Sequence, residues 1–101
     1  MERSVQRDDA GMRYEITVDG TPGGIAEYRE VEGVTVFTHT VVEDAFEGQG
    51  VGSDLVREAL DDVRARGGTV VPLCSFVRSW IDRHEGYEEL VDQPLLAKLR
   101  P

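Results

Sequence analysis

The sequence predicts one mixed α/β domain, in which an antiparallel sheet leads into a parallel strand pair through a helical crossover. Three observations predict it. The N-terminal part alternates apolar and polar residues between the turn dipeptides Asp19-Gly20 and Glu32-Gly33. A β-branched run, Val34 to Val42, then meets the glycine-rich stretch Glu47-Gly48-Gln49-Gly50-Val51-Gly52-Ser53. An amphipathic pattern follows, with Val51, Leu55, Val56, Ala59, Leu60 and Val63 at three- and four-residue spacing. It ends at Gly67-Gly68, ahead of a short apolar run.

Each element has its own warrant. Met12 to Val18 alternates, with Tyr14, Ile16 and Val18 on one face, and forms the first strand. Gly24 to Val31 gives a second, with Ile25 and Tyr28 inward, and Val34 to Val42 a third. The helix runs from about Val51 to Ala65. Thr69 to Leu73 is a fourth strand, reached by a helix and so parallel to the third. Pro72 deletes one ladder hydrogen bond there, which suits two strands that part near their ends and leave a wedge. Phe76 to His84 reads as a helix carrying Phe76, Val77, Trp80 and Ile81 on one side. Gly86 breaks it before a short Tyr87 to Val91 segment, and residues 1–11 and 93–101 read as tails of the single domain.

A strand, a glycine-rich turn and a helix start together aim backbone N–H groups at one point. Those donors lack intrahelical partners, and the helix dipole adds partial positive charge. Phosphate or pyrophosphate is the ligand class this favours; a turn that merely caps the helix is the alternative. A Walker loop requires Lys and Ser/Thr after its last glycine, whereas Gly52 is followed by Ser53-Asp54. A Rossmann fingerprint has different glycine spacing and opens the first βαβ unit.

Val42-Glu43-Asp44-Ala45-Phe46-Glu47-Gly48-Gln49-Gly50-Val51-Gly52 resembles the coenzyme A signature of the GNAT superfamily of acyl-CoA N-acyltransferases. The resemblance extends over about residues 12–92. It includes His39-Thr40, Arg66-Gly67-Gly68, Val70-Val71-Pro72-Leu73-Cys74-Ser75-Phe76-Val77 and Trp80-Ile81-x-x-His84-x-x-Tyr87, and it points to a subfamily of about 100 residues. It implies a GNAT fold, α/β (α+β) in class, with antiparallel N-terminal strands, a splayed parallel central pair and helices on the faces. It further implies acetyl-CoA as cosubstrate and an amine acceptor, either a protein lysine, a polyamine or a small amine. The pyrophosphate would rest on Gly48, Gln49, Gly50, Val51, Gly52 and Ser53, and the pantetheine arm would pair with backbone near Val41 and Val42. The thioester would lie near Cys74. Two departures stand out: the first signature position, usually Arg or Gln, is Glu47, and Val41 stands where the subfamily tends to carry Glu.

Cys74 and His39 are the candidate catalytic residues. An unperturbed thiol is only about 3% thiolate at pH 7, so a Cys74 nucleophile would need a lowered pKa; a small buried hydrophobe is the alternative. Direct transfer to the amine needs no acyl-cysteine, and Cys74 could act as an acid toward the departing thiolate. His39 has the reference pKa of a general base and could equally be structural. Glu43 is a weaker substitute, acting through water. Tyr87 resembles the tyrosine that protonates the leaving thiolate in many GNAT enzymes, with packing as its other role. Trp80 reads as core, and Asp8-Asp9, Asp61-Asp62 and Glu88-Glu89 as solvated faces, so no metal site is expected. Glu47, Val41 and the uncertain base keep open a second reading, a non-catalytic coenzyme A-binding sensor or interaction module.

Composition suits one small domain with a single core: 101 residues, with a formal charge of −9. Such acidity disfavours nucleic acid and would attract amines. Lys98 is the only lysine, a balance also expected of proteins in high salt, and that environmental explanation is preferred. No run approaches the length of a membrane span, Met1-Glu2-Arg3-Ser4 is no signal peptide, and one cysteine excludes an internal disulfide, so the cytoplasm is the expected location. Oligomeric state stays open.

Overall fold

Alternation decides which face of each N-terminal strand is buried. The computed structural model describes residues 2–100. β1 (Arg3–Asp8) pairs antiparallel with β2 (Arg13–Val18), and β2 pairs with β3 (Thr21–Val31). β2 buries Tyr14, Ile16 and Val18 and leaves Arg13, Glu15 and Thr17 half-exposed. β3 buries Ala26 and Tyr28. Ile25 lies on the other face, directly opposite Glu15 and Val41. The inward placement expected for Ile25 is therefore wrong: residues three apart on a pleated strand cannot share a face with Tyr28. Asp19-Gly20 and Glu32-Gly33 take φ values of 49° and 82°, and 52° and 81°, the left-handed pair that a two-residue hairpin requires.

β4 (Val34–Val42) completes the antiparallel part, and β5 (Val70–Pro72) adds to it in parallel, giving the sheet order β1-β2-β3-β4-β5. Glu27 opposes His39 while Tyr28 opposes Phe37, so Thr38 is an extra residue and makes a β-bulge. The parallel ladder has three residue pairs, from Thr35↔Val70 to Phe37↔Pro72. Beyond Phe37, β4 continues to Val42 without β5 beside it, which is the splayed pair expected from Pro72.

α1 (Val51–Ala65) packs across β1 to β4 with Val51, Leu55, Val56, Ala59, Leu60 and Val63 buried. It closes in a Schellman motif: Gly68 N–H reaches the Val63 carbonyl at 3.0 Å, and Gly67 N–H reaches Arg64 at 2.9 Å. α2 (Ser75–Arg83) buries Val77, Trp80 and Ile81 beside α1. The sequence expectation that Phe76 joins them is corrected: Phe76 stays 38% exposed. α3 (Gln93–Leu99) packs on β5, so the sheet is covered on its second face only near the β4–β5 edge, where Val34 and Leu95 line one crevice.

Both expected tails are corrected. Residues 3–8 are a strand whose single apolar side chain, Val5, hides its alternation; Val5 packs on the core, and its neighbours on the same face, Arg3 and Arg7, reach α1. Residues 93–99 are a helix, with Asp92 accepting the Leu95 N–H at 3.0 Å, Pro94 in the first turn, and Leu95 and Leu96 buried. Residues 1 and 101 lie outside the described residues.

A polar network links β1, β2 and α1 around the aromatic cluster of Tyr14, Tyr28 and Phe37. Arg7 lies over the rings of Tyr14 and Tyr28 and donates to the Tyr14 hydroxyl at 2.8 Å, which in turn donates to Asp62 Oδ2 at 2.7 Å. Arg66 Nε donates to the same oxygen at 2.8 Å. Partial burial would raise the Asp62 pKa, but the hydrogen bonds from Tyr14 and Arg66 and the nearby charges outweigh it and hold the carboxyl below its ordinary value. The unfolded reference is about 3.9, so this contribution is complete above about pH 4 and is lost as pH falls through the lower folded value. Asp62→Asn should therefore flatten the acid limb of melting temperature against pH. A limb as steep as in the wild type would show that another carboxylate carries it.

Candidate functional site

The loop between β4 and α1 is built to leave backbone donors free. Gly48 and Gly50 take φ values of 79° and 77°, conformations that side chains resist. Gly50 is the N-cap of α1 and supplies no capping side chain. The first helical bond runs from Asp54 N–H to the Gly50 carbonyl at 3.1 Å, which places the N–H groups of Val51, Gly52 and Ser53 ahead of the hydrogen-bonded ladder. They open on a cleft of about 320 Å³, lined by Val42, Phe46, Glu47, Gly48, Gly50, Val51, Gly52, Ser53 and Phe76. A Cβ on Gly52 would stand 2.8 Å from the Phe76 ring and 2.9 Å from Val42 Cγ2, so any side chain there must displace its neighbours.

Of the residues expected to hold the cofactor, Gly48, Gly50, Val51, Gly52, Ser53 and Val42 share this cleft. Gln49 does not line it: its side-chain amide folds back on the Ala45 carbonyl at 3.2 Å, and its own carbonyl accepts from Arg3 at 2.7 Å. Val41 faces the open side of the sheet, 37% exposed and opposite Ile25. Its backbone is directed differently as well. Glu43 donates its N–H to the Gly23 carbonyl at 2.9 Å. By alternation the backbone groups of Val41 also point to β3, while those of Thr40 and Val42 point into the gap beside β5. The gap-facing pair is thus Thr40 and Val42, not Val41 and Val42.

Cys74 sits at the mouth of that gap. Leu73 and Cys74 both donate their N–H groups to the Phe37 carbonyl, at 3.1 and 3.0 Å, where the two strands part. Cys74 is buried and is the N-cap of α2, and its Sγ lies 3.3 Å from Thr40 Oγ1. His39 is exposed on the opposite face of β4, across from Glu27. The two candidate catalytic residues are not brought together; one residue of alternation separates Thr40, which meets Cys74, from His39. Glu43 is exposed and lines a shallow crevice with Glu15 and Ile25 on the His39 side.

The aromatic residues of α2 brace the loop. Trp80, 1% exposed, donates its indole N–H to Ser53 Oγ at 2.8 Å, linking α2 to the first turn of α1. His84, just beyond the helix, stacks on Trp80 with ring centroids 3.8 Å apart. The Tyr87 hydroxyl donates to Asp61 Oδ1 at 2.9 Å while its ring edge packs on Trp80, so it serves α1–α2 packing here. Asp61, Asp62 and Glu88 are more than solvated faces, being bonded to Tyr87, Tyr14 and Arg78 respectively.

A larger concavity of about 630 Å³ lies between β1, β2 and α1, far from the glycine loop. Arg7, Tyr14, Asp62 and Arg66 in its wall already bond one another, whereas the smaller cleft keeps its backbone donors unspent and is the candidate site. Among the described residues, no three His, Cys, Asp or Glu side chains gather as metal ligands, and no helix is long and apolar enough to cross a membrane.

The sheet splays at its parallel pair, and a glycine-rich helix start lies beside the splay. The family model described as GCN5-related N-acetyl-transferase matches residues 13–90, and the chain belongs to that family. No curated protein matches it. β1 and α3 lie outside the matched span. Arg3, Thr40 and Phe76 are the site residues that sequence reasoning missed. Thr40 was accessible from the alternation that pairs it with Val42; Arg3 and Phe76 carried no comparable signal.

Proposed function

We propose that the chain is an acetyl-CoA-dependent N-acetyltransferase that passes the acetyl group to an amine by direct attack in a ternary complex. The observation that carries this is the cleft at the start of α1, where free N–H groups adjoin the gap between β4 and β5. The glycine cradle fits a pyrophosphate, since backbone donors can be approached there without side-chain hindrance. Thr40 and Val42 offer the backbone groups that an extended pantetheine arm would pair with. The coenzyme supplies an already activated thioester.

The residues of the chain then have two tasks. A lysine-like amine with pKa near 10.4 costs about 4–5 kcal/mol to deprotonate at pH 7. His39, exposed on the open face, is the base proposed to take that proton, which puts the acceptor on the face shared by Ile25, Glu27 and Val41. Cys74, 3.3 Å from the Thr40 hydroxyl, is the proposed neighbour of the thioester, where it could hand a proton to the departing thiolate. The reading without turnover, a coenzyme A-binding module, draws on Glu47 in the cleft wall and on the separation of His39 from Cys74.

A thiol-release assay with acetyl-CoA against a panel of amines and peptides, at low and molar salt, separates the two: turnover supports the enzyme, and binding without turnover the module. Gly50→Val and Gly52→Val should abolish coenzyme A binding in calorimetry on folded protein. The first forces a branched residue into left-handed backbone at about 1–3 kcal/mol, and the second fills the cradle. Unchanged affinity would remove the coenzyme from this loop. Glu47→Arg should tighten binding by replacing repulsion with attraction.

Direct transfer also predicts no acetyl-cysteine by mass spectrometry when acceptor is omitted, and Cys74→Ser should keep much of the activity. A chemically competent adduct on Cys74 would overturn the direct route. His39→Gln should lower kcat/KM by about 10²–10⁴-fold and flatten its rise through the histidine pH range. A limb that instead tracks the pKa of the acceptor, and ignores His39, would remove it as base.

A further inference from the structure

Arg3 lies outside the span matched by the family model, yet it makes the closest side-chain contacts to the glycine loop from outside it. Its Nη2 donates to the Gln49 carbonyl at 2.7 Å and its Nη1 to Asp54 Oδ2 at 2.6 Å. Arg57 donates to the other oxygen of Asp54 at 2.9 Å. The two acceptors flank the helix start: Gln49 precedes the N-cap Gly50, and Asp54 makes the first helical bond. The Arg3 side chain is only 20% exposed, and Nη1 would stand 3.8 Å from a Cβ built on Gly50.

A carbonyl and the N–H of the same trans peptide point in opposite directions. The chain has no cis peptide among its described residues, so anchoring the Gln49 carbonyl on Arg3 turns the Gly50 N–H away from Arg3. Glycine backbone has few steric reasons to keep one orientation, and Gly48 and Gly50 both flank this peptide pair in left-handed conformations. An external anchor is what fixes it. A planar guanidinium suits the task because its fork spans two oxygens at once.

We propose that Arg3 is a positioning residue for the pyrophosphate of the coenzyme: it holds the Gln49–Gly50 peptide so that the Gly50 N–H joins those of Val51, Gly52 and Ser53 on the cleft side. The inference rests on the coenzyme A reading of this cleft. Glu47 in the same cleft wall gives the arrangement its importance. With Glu47 lining the cleft, each backbone donor counts. β1, which brings Arg3 to this point, is thereby part of the binding apparatus as well as of the sheet.

The test measures calorimetric Kd for coenzyme A and for pantetheine, which lacks the pyrophosphate, in wild type, Arg3→Gln and Arg3→Lys. Arg3→Gln should weaken coenzyme A about tenfold, in the range of one charge-assisted hydrogen bond, and leave pantetheine unchanged. Arg3→Lys, a point charge without the fork, should keep most of the loss. Equal weakening of both ligands would mean general loosening and overturn the proposal, as would unchanged coenzyme A affinity or full retention by Arg3→Lys. Should Arg3→Gln not fold, Asp54→Asn leaves β1 intact while weakening one anchor of Arg3; it should show the same split between ligands, and a uniform effect would count against Arg3. Wild-type protein that binds no coenzyme A would overturn the underlying reading, whereas wild-type binding with Arg3→Gln unaffected overturns Arg3 alone.

Discussion

The carbonyl of Phe37 accepts two N–H groups, from Leu73 and Cys74, and the rest of the site depends on that convergence. Pro72 has no N–H with which to extend the ladder, so β5 ends there and its next two donors fold onto one acceptor. On the facing strand the bulge at Thr38 changes which residues point into the space that opens. Together these set the gap, aim the backbone of Thr40 and Val42 into it, and deliver Cys74 to its mouth. A regular parallel ladder through Val42 would have spent those groups on β5.

The glycine loop needs a different kind of support, because its own residues supply none. α2 braces it through Trp80 and Ser53, and β1 braces it through Arg3. Both braces are anchored in the body of the fold: Trp80 is buried between α1 and the Tyr87 edge, and β1 is tied by six residue pairs to β2. Burial of α1 against β1 to β4 then keeps the helix start from drifting relative to the gap. Loop, gap and sheet thus form one packed unit.

The parts of this arrangement that were legible in sequence are those written by local rules. Asp19-Gly20, Glu32-Gly33 and Gly67-Gly68 specify backbone conformations by themselves, and the stripe from Val51 to Val63 marks α1. Pro72 announced the splay for the same reason. What escaped was written between distant residues. β1 has one apolar side chain and is held by arginines that find carboxylates on α1 some fifty positions away, a pairing that no periodicity shows. α3 is short, and its stop and start lie in Asp92 and Pro94 more than in any stripe. Phe76 fits the apolar side of α2 by spacing, but the helix is placed so that this position looks into the cleft beside Gly52. The face of His39 was equally hidden, since the Thr38 bulge shifts the alternation of β4 at that point.

Charge explains why the proposed anion site is made of backbone. The chain carries a formal −9, and Arg3, Arg7, Arg13, Arg57, Arg64, Arg66 and Arg78 are all in ion pairs with its own carboxylates. Their charge is already shared with carboxylates, which weakens them as ligands for an anion. Helix-start N–H groups and the dipole behind them are not subject to that competition, since no side chain of the loop caps them. An acidic surface can therefore coexist with a phosphate cradle, provided that the cradle is short, glycine-lined and held from behind. The same surface on the His39 side, with Glu15, Glu27 and Glu43, presents a field favourable to a cationic amine. β4 separates the two by single-residue alternation, so in the proposed function one strand would serve the anionic cosubstrate through the backbone of Thr40 and Val42 and the cationic acceptor through the face that carries His39 and Val41.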